Sequence, residues 1–449
     1  MKLVILGGGE SGVGAALLGK ELGYEVFLSD KGKLADGYRR TLTEAGIAFE
    51  EGEHSEERIL EADLAVKSPG IPETAPLVVK LRASGVEVIS EIEFAGRHTS
   101  AKMVCITGSN GKTTTTLLTH HILTRAGVDA GLAGNVGKSL AAQVAANAHG
   151  LYVVELSSFQ LDGMFRFRAD VAILTNVTPD HLDRYEHRFE NYVRSKFRIL
   201  NNMRPADLFV YGADSEAVAA YLAGVRVVPQ AAGFTYGDGA ARDCGAWMEG
   251  DVVVARLGER ELRVDKADIS IRGRHNVYNA MGAMLACMRL GLSDEMICGG
   301  LKSFPQVEHR LETVETVEGV TYVNDSKATN VDSAWYALDS MTTPVVWIAG
   351  GTDKGNDYSV LADLVREKVK VLVCMGVDNR KLVESFGGMC EVADTHSLEE
   401  AMDAVRRYAV AGDTVLLSPC CASFDLFRNY EHRGELFKQA VRNLKQEKR

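Results

Sequence analysis

Two closely spaced glycines followed by a lysine and a run of threonines form the chemistry most easily read from this sequence. Thr107-Gly108-Ser109-Asn110-Gly111-Lys112-Thr113-Thr114 follows the apolar run Met103-Val104-Cys105-Ile106 and precedes a helical pattern with Leu117, Leu118, Ile122 and Leu123 on one face. Such a turn cradles a nucleotide polyphosphate. Gly108 and Gly111 let the backbone approach phosphate oxygens, Lys112 brings positive charge to the β- and γ-phosphates, and Thr113 offers a hydroxyl to Mg²⁺. The loop is shorter than the usual phosphate loop, because Ile106 stands where the first glycine would fall.

Other candidates lie along the chain. Glu155 closes the apolar run Leu151-Tyr152-Val153-Val154, and a carboxylate at the tip of a strand beside a phosphate loop is placed to ligate Mg²⁺. Asn135, in a glycine turn, either faces substrate or caps the turn, and Ser157, Ser158 and Gln160 follow Glu155 on a polar loop. His181 reads by itself as a cap or surface histidine. Lys196 shares a helix face with Tyr192, and side-chain chemistry alone does not select it. Asn276 and Asn279 open a helix, where amides either read a base edge or cap. Gly7, Gly9 and Gly12 fit G-x-G-x-x-G, with Asp30 about 20 positions on to hold a ribose and Ser68 on a second loop. Near the other end, Thr329, Lys354 and Ser423 sit on loops after strands and converge on a carboxylate if those loops share one sheet edge.

The elements needed to position these groups are alternating strands and helices. The expected class is α/β in three domains: a Rossmann-like domain over 1–97, a central P-loop ATPase-like parallel-sheet domain over 98–306, and a Rossmann-like domain over 307–449. Residues 205–272 read as strand-rich packing without chemistry. The net charge of −11 argues against a general nucleic-acid or acidic-membrane binder, so an anionic substrate must meet local positive groups. The eight cysteines include no C-x-x-C pair, which suits buried thiols in a reducing compartment. The first residues run straight into a strand, and no apolar run is long enough to span a bilayer. A cytoplasmic protein is expected.

These motifs together resemble the Mur ligases, ATP-dependent amide-forming enzymes of peptidoglycan assembly, and the related folylpolyglutamate synthases. The resemblance rests on TGSNGKTTT at 107–115, Glu155, NVTPDHLDRY at 176–185, Lys196, RGRHNVYNA at 272–280, EHRLE at 308–312 and NDSKATN at 324–330. GGGESGVGAA at 7–16, ELSSFQL at 155–161, GGTDKG at 350–355 and LLSPCCASFDLF at 416–427 are similar to the branch that adds D-glutamate to UDP-N-acetylmuramoyl-L-alanine.

The resemblance implies roles residue by residue. Ser11, Asp30, Lys31 and Ser68 would hold the uridine diphosphate end, with Asn135, Ser157, Gln160 and His181 along the muramoyl part. Gly108, Ser109, Asn110, Gly111, Lys112, Thr113 and Thr114 would hold the ATP phosphates, with Asn276 and Asn279 at the adenine, Arg310 on the phosphates and Asp325 on the ribose. Thr113 and Glu155 would ligate one Mg²⁺, and His181 a second, together with a carbamylated Lys196. Lys327, Thr329, Lys354, Ser423, Phe424 and Tyr430 would form the D-glutamate pocket. The implied reaction makes an acyl phosphate, which the amine of D-glutamate attacks while His309 or His181 assists its deprotonation. A monomer is expected, whose 307–449 domain swings about the segment near Pro305. The alternatives are another amide ligase of the same superfamily, including a folate enzyme, and a non-catalytic nucleotide-binding regulator.

Overall fold

Short apolar runs, each closed by a polar or glycine loop, form three sheets in the computed structural model, which describes residues 1–237, 243–353 and 355–447. The first sheet contains β1 (Lys2–Leu6), β2 (Glu25–Asp30), β3 (Ala48–Glu51), β4 (Leu64–Lys67) and β5 (Glu87–Ser90). All are parallel, in the order β3-β2-β1-β4-β5. The central strand β1 is buried from Leu3 to Leu6, as a sheet covered on both faces requires.

The second sheet contains β6 (Lys102–Thr107), β7 (Gly131–Gly134), β8 (Leu151–Glu155), β9 (Val171–Leu174), β10 (Leu208–Gly212), β11 (Gln230–Phe234), β12 (Cys244–Glu249), β13 (Val252–Leu257) and β14 (Arg260–Asp265). Its order is β14-β13-β12-β11-β10-β9-β6-β8-β7. The strands from β7 to β12 run parallel, and β12, β13 and β14 form an antiparallel meander at one edge. This meander, with β10 and β11, accounts for the strand-rich stretch at 205–272. β6 lies between β8 and β9, so the loops leaving all three share one edge.

The third sheet contains β15 (Glu312–Val317), β16 (Val320–Asn324), β17 (Val345–Ala349), β18 (Val369–Met375), β19 (Glu391–Thr395) and β20 (Thr414–Leu417), in the order β15-β16-β20-β17-β18-β19. β15 pairs antiparallel with β16, and the other pairings are parallel. Alternate side chains feed two cores. Trp347 and Leu416 pack on one face, and Val346, Ile348, Val415 and Leu417 on the other.

The chain divides into two compact units, Met1–Ile269 with Val277–Phe304, and Ser270–Asn276 with Pro305–Arg449. The first two sheets belong to the first unit and share one apolar core, in which Leu3, Ile5 and Leu28 belong to the same cluster as Met103, Cys105, Tyr152 and Val154. The short helix Glu91–Gly96 joins them through two buried carboxylates. Glu91 Oε1 accepts from Ser139 Oγ and from Ala141 N, each at 2.6 Å. Glu93 accepts from the backbone N–H groups of Phe165, Arg166 and Phe167. No helix among the described residues is long and apolar enough to cross a membrane.

Candidate active site

The turn after β6 has the backbone that its glycines predict. Gly111, at φ +82°, is the N-cap of the helix Lys112–Arg125, and a Cβ there would lie 2.4 Å from Asn279 Oδ1. Gly108, at φ +148°, would meet Thr175 Oγ1 at 1.9 Å. Only glycine tolerates both the dihedral and the approach at these two positions. Lys112 Nζ curls back to donate to Gly108 O (2.9 Å) and Ser109 O (2.8 Å), holding an ammonium over the loop. Thr113 is half-buried at the helix N-terminus and Thr114 is buried.

Two loop residues are engaged with the protein itself. Ser109 Oγ donates to Thr178 O, accepts from Thr178 N (both 2.9 Å) and lies 3.1 Å from Tyr192 Oη. Its N–H donates to Asn176 O. Asn110 N donates to Asn176 Oδ1 at 2.9 Å, and Asn110 O accepts from Thr175 Oγ1 at 2.5 Å. The phosphate turn is thereby riveted to the polar loop after β9. Asn279 sits against the turn, its Oδ1 accepting from Thr115 Oγ1 at 3.1 Å.

Glu155, at the tip of β8, is 1% exposed. Oε1 accepts from Asn135 Nδ2 at 2.8 Å, while buried Oε2 has no hydrogen-bond partner among the described residues. A carboxylate oxygen left unpaired in the interior is costly unless something else meets it, and a hard divalent cation is the partner its chemistry fits. Asn135 therefore orients this carboxylate. Lys196, on the helix Phe189–Phe197, is 2% exposed. Its Nζ donates to Thr107 Oγ1 at 3.3 Å, and no described carboxylate lies within ion-pair distance. Burial, and then the charge of Lys112, push its amine well below the ordinary lysine range, while Asp180, Glu155 and Asp162 pull the other way.

His181 has left-handed backbone (φ +51°) at the start of a single turn, Leu182–Arg184. Its Nε2 lies 3.6 Å from Asp180 Oδ2, and its ring packs edge-on against Phe159. Ser157 and Gln160 form a capping box: Ser157 Oγ accepts from Gln160 N, and Gln160 Oε1 accepts from Ser157 N at 2.9 Å. At the first sheet, Asp30 Oδ2 accepts from Gly8 N (2.5 Å) and Oδ1 from Gly32 N (2.6 Å), so this carboxylate braces the glycine loop. Ser11 is half-buried in the helix Glu10–Glu21, and Lys31 is exposed. Ser68 lies over Gly7, where a Cβ would approach Ser68 Cβ to 2.7 Å.

The remaining candidates fall in the second unit. Asp325 is buried, accepting from Ser418 Oγ (2.9 Å) and Leu311 N (3.2 Å), and burial raises its carboxyl to about 7. Lys327 Nζ lies 3.6 Å from the centroid of the Tyr430 ring. His309 Nδ1 accepts from Asn324 Nδ2 at 2.9 Å, which leaves the proton on Nε2, 3.8 Å from Glu435 Oε1. Burial and Lys438 lower the imidazole's pKa. Arg310 and Thr329 are half-buried, Ser423 is buried and Phe424 is 73% exposed. Asn276 Nδ2 donates to Arg272 O at 2.7 Å. Lys354 lies outside the described residues.

Sequence reasoning passed over Thr107 and Tyr192 as site residues, although one receives Lys196 Nζ and the other meets Ser109. A threonine ending an apolar strand was the available signal for the first. For Tyr192, the signal was its helix face shared with Lys196.

Residues 2–76 match the MurD N-terminal domain, 106–287 the Mur ligase middle domain, and 309–421 the glutamate ligase domain of Mur ligases. A UDP-N-acetylmuramoylalanine--D-glutamate ligase from Cytophaga hutchinsonii is 51% identical over 450 residues, covering 99% of both chains. One from Bacteroides fragilis is 50% identical over 449 residues, covering 99% of this chain and 100% of the relative. Among solved structures, a pseudomurein peptide ligase type C from Methanothermus fervidus aligns at TM-score 0.63 with 20% identity, covering 99% of this chain and 100% of that one. The UDP-N-acetylmuramate-alanine ligase MurC from Thermotoga maritima aligns at TM-score 0.61 with 19% identity, covering 99% of each. At such identity these two structures show the fold.

Proposed function

The chain belongs to the Mur ligase family, and from that premise we infer that it joins D-glutamate to UDP-N-acetylmuramoyl-L-alanine at the expense of ATP, in peptidoglycan precursor synthesis. The observation that carries this reading is the identity of about half the residues, over the whole chain, with relatives named for that reaction. Half-buried Lys112 after β6, buried Glu155 at the tip of β8 and buried Lys196, whose Nζ reaches Thr107 at the end of β6, support it.

A free carboxylate is a poor electrophile, so the alanyl carboxylate must first take the γ-phosphate of ATP. The resulting acyl phosphate is attacked by the amine of D-glutamate, and the tetrahedral adduct collapses with loss of phosphate. Lys112 and the N–H groups at the start of the helix Lys112–Arg125 bind the polyphosphate and offset the repulsion between two anions. Thr113 and Glu155 would hold one Mg²⁺, and His181 with Lys196 a second; the unpaired Oε2 of Glu155 fits such an ion. When bound, the ions neutralise charge on the transferring phosphoryl group. Lys196 suits this role only after its neutral amine adds to carbon dioxide and loses a proton, giving a carbamate with hard oxygens. The depressed basicity of the buried amine favours that modification.

We further propose three functional segments. Residues 1–97 take the uridine nucleotide through Ser11, Asp30, Lys31 and Ser68, with Asn135, Ser157, Gln160 and His181 toward the muramoyl part. Residues 98–306 take ATP through the phosphate turn, with Asn276 and Asn279 at the adenine. Residues 307–449 take D-glutamate through Lys327, Thr329, Lys354, Ser423, Phe424 and Tyr430. Arg310 and Asp325 serve ATP, and His309 or His181 assists deprotonation of the amine. The protein acts in the cytoplasm as a monomer. The last segment swings near Pro305, where a boundary between compact units falls, and closure keeps water from the acyl phosphate.

Phosphate release with ATP, Mg²⁺ and UDP-N-acetylmuramoyl-L-alanine, across a panel of amino acids that includes both glutamate enantiomers, tests the reading. Release with D-glutamate alone, with the matching mass gain on the nucleotide, is expected. Turnover with a different amino acid would overturn the pocket assignment and keep the ligase.

A further inference from the structure

Arg433 lies beneath the point where the strand order of the third sheet reverses. β20 follows β16 and β17 in the chain but sits between them, so the exit loops of all three share one edge of the sheet, the carboxyl edge at which open α/β sheets bind ligands. The arginine is 1% exposed. Its Nε donates to Ser326 Oγ at 3.0 Å and its Nη2 to Ser326 O at 2.8 Å. Nη1 and Nη2 reach Cys421 O at 3.4 and 3.3 Å, and Nη1 reaches Gly350 O at 3.5 Å. One guanidinium therefore ties a residue from each of the three loops that leave β16, β17 and β20. Ser326 Oγ in turn donates to Tyr430 O at 2.8 Å, at the start of the helix that carries Arg433.

Every one of these acceptors is a neutral oxygen. Among the described residues Arg433 makes no ion pair, and Asp425 and Asp325 attract it only from farther off. Burial lowers the guanidinium to about 10, which leaves it charged at neutral pH. The helix Tyr430–Glu447 turns the same face inward at Arg433, Phe437, Val441 and Leu444, and the other three are buried and apolar. A charge on that stripe, taken out of water without a counter-ion, is expensive for packing alone. The loops it ties carry Lys327, Thr329 and Ser423.

We propose that Arg433 is a positioning and specificity-setting residue of the amino-acid site, its uncompensated charge drawing a dicarboxylate to this loop edge while its fork fixes the three loops. This rests on the assignment of the amino-acid pocket given above. Arg433→Gln removes the charge and keeps N–H donors. The Michaelis constant for D-glutamate then rises about tenfold, the scale of one charge acting through a partly screened interior. The values for ATP and the sugar nucleotide stay unchanged, kcat stays within a small factor, and Arg433→Lys recovers most of the loss. An unchanged constant for D-glutamate in soluble Arg433→Gln overturns the proposal. So does a parallel rise of all three constants with a lowered Tm, since that marks a scaffold role only. If Arg433→Gln does not fold, Ser326→Ala loosens the fork while retaining the charge; it must raise the D-glutamate constant selectively, and no change overturns the proposal. Thr329→Val separates the two readings. No effect there removes the pocket assignment and this inference with it, whereas an effect there without one at Arg433 removes this inference alone.

Discussion

Glu93 and Glu155 are both buried carboxylates on short elements of the same compact unit, and the protein treats them in opposite ways. Glu93 accepts three successive backbone N–H groups, from Phe165, Arg166 and Phe167, and pairs with Arg97 Nε at 2.7 Å. Among the described residues, Glu155 has one side-chain donor, Asn135, and an oxygen with none. A fully met carboxylate is a joint: it fixes the helix Glu91–Gly96 to the loop before β9. An unmet one, placed beside an ammonium folded over a glycine turn and a lysine with depressed basicity, is held ready for something the chain itself does not supply. Degree of compensation separates structural from functional charge here better than burial does.

The largest effect should come from the uncompensated group. Glu155→Gln keeps the shape and the Asn135 contact on one atom and removes the charge that would hold the cation. The rate of phosphate release should fall about a thousandfold or more. Tm should hold or rise, since a buried anion has been replaced by a neutral amide. Activity within a factor of about ten of the wild type would end the distinction drawn between the two glutamates.

Glu93→Gln should do the reverse. It leaves Arg97 without that partner and weakens three charge-assisted bonds, at a cost of about 3 kcal/mol in stability. Below its melting range the variant should keep near-normal turnover. Urea melts together with rates measured at low temperature check both halves. A stable variant with lost activity would make Glu93 part of the chemistry.

The turn after β6 was legible as backbone, because glycines at fixed spacing before a helical run require it, and β6 and β8 were legible as apolar runs closed by polar residues. The contacts that Asn135, Ser157 and Gln160 make within the protein were not, because an amide or hydroxyl near a strand end serves a ligand or a turn equally well in one dimension. The structure gives Asn135 to Glu155, and Ser157 and Gln160 to each other. Lys196 was visible only through the family pattern. Its burial depends on Tyr192, Thr107 and the loops around them meeting in three dimensions. Arg433 had a local signal, a charge on an otherwise apolar helix stripe, but its acceptors lie on three loops far apart in sequence.

Asp325 occupies the middle ground, with two donors for its two oxygens and a carboxyl raised from 3.8 to about 7 by burial. The folded state therefore holds its proton more tightly than the unfolded state. Stability from this group is complete below pH 3.8 and is lost as pH rises toward about 7, after which the loss is constant. Asp325→Asn has no such slope. Across that window the wild type should weaken relative to the variant by up to about 1.4 kcal/mol per pH unit. Urea melts at several pH values read this directly, and a difference that does not move with pH would place Asp325 with the fully compensated carboxylates.

Ser109 tests the same distinction with a neutral group and should give the smallest change. It sits in the phosphate turn, between Gly108 and Asn110, yet its hydroxyl serves Thr178 N, Thr178 O and Tyr192 Oη, and its N–H serves Asn176 O. No hydrogen-bonding capacity of the side chain is held in reserve, so it behaves as Glu93 does and not as Glu155. Ser109→Ala removes the hydroxyl that bridges Thr178 N and Thr178 O and loosens the tie between the glycine turn and the loop that carries His181. Stability should drop by about 1–2 kcal/mol. The Michaelis constant for ATP should stay within a small factor of the wild type, because in the proposed function backbone N–H groups and Lys112, not this hydroxyl, would meet the phosphates. A large rise in that constant without loss of stability would mean that the hydroxyl turns to the nucleotide when it binds, and that position in a motif outweighs the contacts made in its absence.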